Sequence, residues 1–127
     1  MRIEHLAIWV NNLEAMRTFY ETYFGAKANE RYHNPTKNFH SYFLSFDSGC
    51  RLELMHQPNI QQNKNIEEHI GIIHFAISVG SKEKVNSLTE TLRQANYKIV
   101  GESRTTGDGY YESVILDPEG NRIEITI

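Results

Sequence analysis

Two histidines and two glutamates stand at matched places in this chain. His74 follows His5 by 69 residues, and Glu124 follows Glu53 by 71. Imidazole nitrogen and carboxylate oxygen are donors that suit Zn²⁺, Ni²⁺, Co²⁺, Fe²⁺ and Mn²⁺. Two neutral imidazoles and two carboxylates would also balance the charge of a divalent ion. A lone strand histidine or sheet-face glutamate is ordinarily a solvated polar group. What sets these four apart is their recurrence, which must come from the elements that carry them.

Those elements repeat. His5-Leu6-Ala7-Ile8-Trp9-Val10 and His74-Phe75-Ala76-Ile77-Ser78-Val79 share one pattern: His, apolar, Ala, Ile, any residue, Val. Both alternate and favour strands. A helix follows each. Met16, Phe19 and Tyr23 share one face of the first, and Val85, Leu88 and Leu92 match them in the second. Asn11 or Asn12 can cap the first helix and Ser81 the second. Gly25 suits the first exit and Asn96 the second.

A hairpin closes each half. The first is predicted from Tyr42–Phe46, a turn at Asp47-Ser48-Gly49, and Arg51–Met55. The second is predicted from Tyr111–Leu116, a turn at Asp117-Pro118-Glu119-Gly120-Asn121, and Arg122–Ile127. A further strand is expected at Lys27–His33, with its partner at Tyr97–Glu102. The organisation is therefore β-α-β-β-β twice, an α+β fold. Module one covers residues 1–56, a polar linker 57–70, and module two 71–127. A short helical turn fits Ile66 to His69.

Strand alternation sorts the side chains. Leu6, Ile8 and Val10 share a face with their mates Phe75, Ile77 and Val79, and these should cover the helices. Leu52, Leu54, Ile123, Ile125 and Ile127 should do the same. His5, Glu53, His74 and Glu124 then lie on the helix-free faces, beside the small Ala7 and Ala76. Two sheets closing on each other would make a cleft holding all four.

Paired β-α-β-β-β modules with a first-strand histidine and a last-strand acid resemble the glyoxalase, bleomycin resistance and vicinal-oxygen-chelate superfamily. Asp117-Pro118-Glu119-Gly120-Asn121-Arg122-Ile123-Glu124-Ile125 is similar to its most recognisable motif. Asn12-Leu13-Glu14 with Phe19-Tyr20 and Phe24-Gly25 is similar to its first-helix pattern. The resemblance spans essentially the whole chain, and is nearest to small glyoxalase-like bacterial members. It implies that His5, Glu53, His74 and Glu124 are metal ligands. It also implies a small-molecule substrate, a homodimer and a lyase or isomerase of the lactoylglutathione-lyase kind. The glyoxalase I branch carries a first-strand arginine for glutathione where this chain has Trp9.

In that reading the ion acts as a Lewis acid and one glutamate shuttles a proton, Glu124 first and Glu53 second. Extradiol dioxygenases and thiol transferases of the family use three ligands, so a fourth ligand, the carboxylate of Glu53, argues against both. The alternative class is a drug-binding protein of the bleomycin-resistance type, which sequesters its ligand without a catalytic metal. Trp9, Tyr42 and Phe43 could line a cleft in either case. The glycine-rich stretch Ser103 to Tyr110 reads as a loop, with Arg104 available to an anion.

Composition narrows the remaining classes. The 127 residues carry 13 Lys and Arg against 16 Asp and Glu, a net charge of -3. No basic block suggests nucleic acid. The longest early apolar run, Leu6 to Val10, is far too short for a membrane span. The single Cys50 reads as an idle thiol beside a turn. His33, His40, His56 and His69 have no metal-binding repeat mates and read as surface histidines. A cytoplasmic setting is the expectation.

Overall fold

The computed structural model describes residues 2–61, 71–107 and 109–127. The helical turn expected near 66–69 lies outside these residues. The chain divides into two compact units, Met1–Asn63 and Lys64–Ile127. Among the described residues, no helix is long and apolar enough to cross a membrane.

Unit one runs β1 (His5–Trp9), α1 (Leu13–Phe24), β2 (Lys27–Ala28), β3 (Tyr32–Asn34), β4 (Phe39–Ser45) and β5 (Arg51–His56). Its sheet has the order β1-β5-β4-β2, with β3 also paired to β4. β1 lies parallel to β5 because α1 carries the chain back across the sheet. Asn12 caps α1, accepting the Ala15 amide at 3.0 Å. Gly25 ends it with φ at 64°, a left-handed turn that glycine adopts without strain. Met16, Phe19 and Tyr20 bury one helix face, and Leu44, Leu52 and Leu54 bury the sheet beneath.

The strand expected at Lys27–His33 is two short pieces, β2 and β3. Asn29 interrupts it. Its side-chain oxygen accepts the Phe43 amide at 2.8 Å, where a strand carbonyl would otherwise pair. The following hairpin starts earlier than expected, at Phe39.

Unit two runs β6 (Phe75–Ser78), α2 (Lys82–Gln94), β7 (Ile99–Thr105), β8 (Tyr111–Leu116) and β9 (Arg122–Thr126). Its order is β6-β9-β8-β7, again with the first and last strands parallel. Ser81 caps α2 through the Lys84 amide. Asn96 takes the left-handed conformation after the helix, φ 65°. Val85, Leu92, Ile115, Ile123 and Ile125 are fully buried.

Two expectations for unit two are corrected. β7 continues to Thr105, so Arg104 belongs to a strand, opposite Glu112. The connection closes just beyond, where the Thr106 amide donates to the Tyr110 carbonyl at 2.8 Å. Ile127, expected in the core, is 41% exposed because β9 ends at Thr126.

The Asp117 turn sets where β9 begins. Asp117 is buried and its Oδ1 accepts the amides of Glu119 and Asn121, at 3.0 and 2.8 Å. Its Oδ2 accepts the Asn121 side-chain amide at 2.8 Å. One carboxylate therefore satisfies a loop that would otherwise leave buried donors unpaired.

Candidate metal centre

The register explains why each histidine meets a glutamate. In unit one Ala7 of β1 stands opposite Glu53 of β5, and His5 lies two residues back on the same face. In unit two Ala76 of β6 stands opposite Glu124 of β9, with His74 just ahead of the strand. Alanine is short, so each glutamate has room to lean toward the histidine. His5 Nε2 is 3.8 Å from Glu53 Oε2, and His74 Nε2 is 3.4 Å from Glu124 Oε2.

Burial is alike in the two pairs. The glutamate side chains are 14% and 17% exposed, whereas the histidines are 39% and 41% exposed. Each carboxylate is thus held among its strand neighbours, with an imidazole at its open side. This fits a shared ion. Metal–nitrogen and metal–oxygen bonds of about 2.0–2.2 Å place neighbouring donors roughly 2.9–3.4 Å apart. The His74–Glu124 pair already has that spacing. The His5–Glu53 pair is wider by about half an ångström on the same reckoning. Each unit supplies two donors, and among the described residues no group of three or more His, Cys, Asp or Glu converges.

Among the described residues, His5 has a setting that His74 lacks. Its Nδ1 lies 2.5 Å from Glu4 Oε2. The Arg51 guanidinium also holds Glu4, with Nε donating at 3.0 Å and Nη2 in closer contact. Arg51 lies over the Phe43 ring at 4.2 Å, and Phe43 meets the His5 ring edge-on at 5.3 Å. Contacts therefore close a circuit around His5. The hydrogen bond from His5, then Arg51, lowers the Glu4 carboxyl below its usual 4.5. At the positions matched to Glu4 and Phe43 unit two has Ile73 and Val114, with neither charge nor ring, and only Arg51 has a like mate, Arg122.

The aromatic candidates separate. Phe43 is opposite Glu53 in the β4–β5 ladder and shares its face. Trp9 lies on that face too, 42% exposed, edge-on to Phe39 at 6.0 Å. Tyr42 does not belong with them. It is buried on the helix side, and its hydroxyl donates to Glu14 at 2.9 Å. Burial and the Glu14 carboxylate push its phenol above the usual 10.0.

Glu4 and Arg51 were not legible as site residues. Glu4 precedes the strand, so alternation says nothing about its direction. Arg51 reads as a routine strand end, and only pairing with His5 reveals its place.

A family model described as the Glyoxalase/Bleomycin resistance protein/Dioxygenase superfamily matches residues 2–125. Among solved structures, the glyoxalase family protein from Enterococcus faecalis is 24% identical, with TM-score 0.80, covering 99% of this chain and 97% of that one. The trypanothione-dependent glyoxalase I of Leishmania major is 24% identical, with TM-score 0.79, covering 99% and 86%. The lactoylglutathione lyase of Agrobacterium tumefaciens is 22% identical, with TM-score 0.68, covering 98% and 91%. At these identities the likeness is one of fold. No curated protein matches the chain.

Proposed function

Because this chain belongs to the Glyoxalase/Bleomycin resistance protein/Dioxygenase superfamily, we propose that it is a divalent-metal protein of the glyoxalase I type. In this reading it is a lyase or isomerase acting on a small metabolite with two adjacent oxygens. His5, Glu53, His74 and Glu124 are the ligand set. The carrying observation is that both units pair a shielded glutamate with a half-open histidine across parallel strands.

When bound, a divalent ion at such donors supplies Lewis acidity to the substrate oxygens. The protein's own groups do the rest. Glu124 takes up and returns the substrate proton, since its carboxylate can leave one donor contact and regain it. Glu53 is the second choice for that role. His5 and His74 stay fixed, His5 through Glu4. Phe43 and Trp9 offer apolar walls beside the unit one pair. Trp9 stands where the glyoxalase I branch places its glutathione arginine, which turns the reading away from glutathione conjugates.

The proposal includes a homodimer working in the cytoplasm, with the ligand pairs meeting within one chain or between two. Metal analysis of untagged protein, purified without chelator, is the direct test. The expected result is a stoichiometric ion, and turnover in a substrate screen that depends on added Ni²⁺, Zn²⁺ or Mn²⁺. Metal below roughly one-tenth of an ion per chain, with no rebinding on titration, overturns it in favour of a metal-free binder.

A further inference from the structure

Beside the glutamates, the two units differ sharply. On the unit one face that carries His5 and Glu53, the next row across the sheet is Trp9, Met55, Ser41 and Tyr32, each opposite the one before. The equivalent row of unit two is Ser78, Thr126, Glu112 and Arg104. Both sheets put their first strand beside their last. The topology therefore does not call for rings at these places, since unit two fills them with hydroxyls and charges.

The rings of unit one form a single cluster. Phe39, two residues before Ser41 on β4, meets Trp9 edge-on, with centroids 6.0 Å apart and 88° between the planes. Phe39 also meets Tyr32, at 6.1 Å and 62°. Trp9 is 42% exposed and Tyr32 52%, while Ser41 in the middle of the row is buried. Single surface aromatics need no explanation, but contiguous exposed ones mark a place where something binds.

Shape, size and position select the occupant. Trp9 and Phe39 stand at a right angle, so a flat ring can lie on one and turn its edge to the other, as aromatic groups prefer. Met55, next to Trp9 in the row, is a thioether that packs well on rings. At roughly 150–250 Å² per ring, about half of it open, the cluster offers less than about 400 Å². A standard protein interface takes about 800 Å² from each partner, so a small molecule fits better than a second chain. The cluster also adjoins the candidate centre. Trp9 and Met55 each lie two residues beyond Ala7 and Glu53, a step of roughly 7 Å along the strands.

We propose that Trp9, Phe39 and Tyr32 are the specificity wall of this centre, and that its substrate carries an uncharged aromatic ring within one or two bonds of the two adjacent oxygens. This rests on the proposed metal site, which would take the oxygens. The wall takes the ring.

Trp9 is the only tryptophan of the chain, so its fluorescence reports on the wall directly. Mandelate and hexahydromandelate share a hydroxyl next to a carboxylate and differ only in whether the six-membered ring is aromatic. Each is titrated into the untagged full chain, with and without added Zn²⁺, and the metal bound is measured in parallel. Mandelate should change the Trp9 emission saturably and bind more tightly than hexahydromandelate. Tyr32→Leu and Phe39→Leu, which keep apolar bulk but remove a ring, should each weaken mandelate about 2- to 10-fold and leave Zn²⁺ affinity as it was. Bound Zn²⁺ with an unmoved Trp9 overturns the wall and leaves the metal site standing. A Trp9 response that prefers mandelate in a chain taking no Zn²⁺ upholds the wall and overturns the metal site. Equal affinity for the two acids, or mandelate binding that neither substitution weakens, overturns the wall. So does an emission that follows protein concentration and neither acid, which gives this face to a second copy of the chain.

Discussion

Glu4 and His5 are joined by a 2.5 Å contact between carboxylate oxygen and imidazole Nδ1, and this leaves Nε2 turned toward Glu53. A carboxylate that accepts from one ring nitrogen fixes the tautomer and makes the other nitrogen a better donor to a metal. Glu4→Gln should therefore weaken metal affinity by about 10–100-fold while the fold is kept. Competition with a chromophoric chelator reads the affinity, and circular dichroism reads the fold. Unchanged affinity would show that Glu4 only decorates the surface.

Asp117 makes a different prediction, about folding. Its buried carboxylate holds the amides of Glu119 and Asn121 and the Asn121 side chain. Asp117→Ala should cost about 1–3 kcal/mol by leaving those donors unpaired. The urea midpoint should fall with an unchanged slope. A midpoint equal to that of the parent chain would mean that the loop rehydrates freely.

The start of α2 carries a pH signature. The Glu83 carboxyl is held below its usual 4.5 by hydrogen bonds from its own amide and from Ser81. A lowered native value means that the stabilisation is complete above 4.5 and is lost as pH falls through that lower value. The parent should thus exceed Glu83→Gln in stability at pH 6, and the gap should close toward pH 3.5. Urea midpoints across this range check it. A gap that is constant with pH contradicts the hydrogen-bonded carboxylate.

Much of this architecture was legible because the chain repeats. The matched His-apolar-Ala-Ile pattern located β1 and β6, and alternation placed the four candidate ligands away from the helices. What was not legible depends on pairing between strands. Asn29 looks like part of a strand until its side chain is seen to take the Phe43 amide. Tyr42 and Phe43 are adjacent and aromatic, and only the register with Leu54 and Glu53 shows that Phe43 is the one on the glutamate face. β7 runs on through Ser103–Thr105, the start of the stretch that reads as loop, because Arg104 and Thr105 pair with Glu112 and Tyr111. His33, His40 and His56 are scattered in sequence and stand in register only because β3, β4 and β5 are neighbours.

The central claim is that the His5–Glu53 and His74–Glu124 pairs serve one ion. Metal titration of the untagged full chain tests it most directly when repeated in His5→Ala, Glu53→Gln, His74→Ala and Glu124→Gln. The account predicts one ion per chain, weakened more than about 10-fold by each of the four substitutions. An ion that is lost with changes in one unit but indifferent to changes in the other would contradict it.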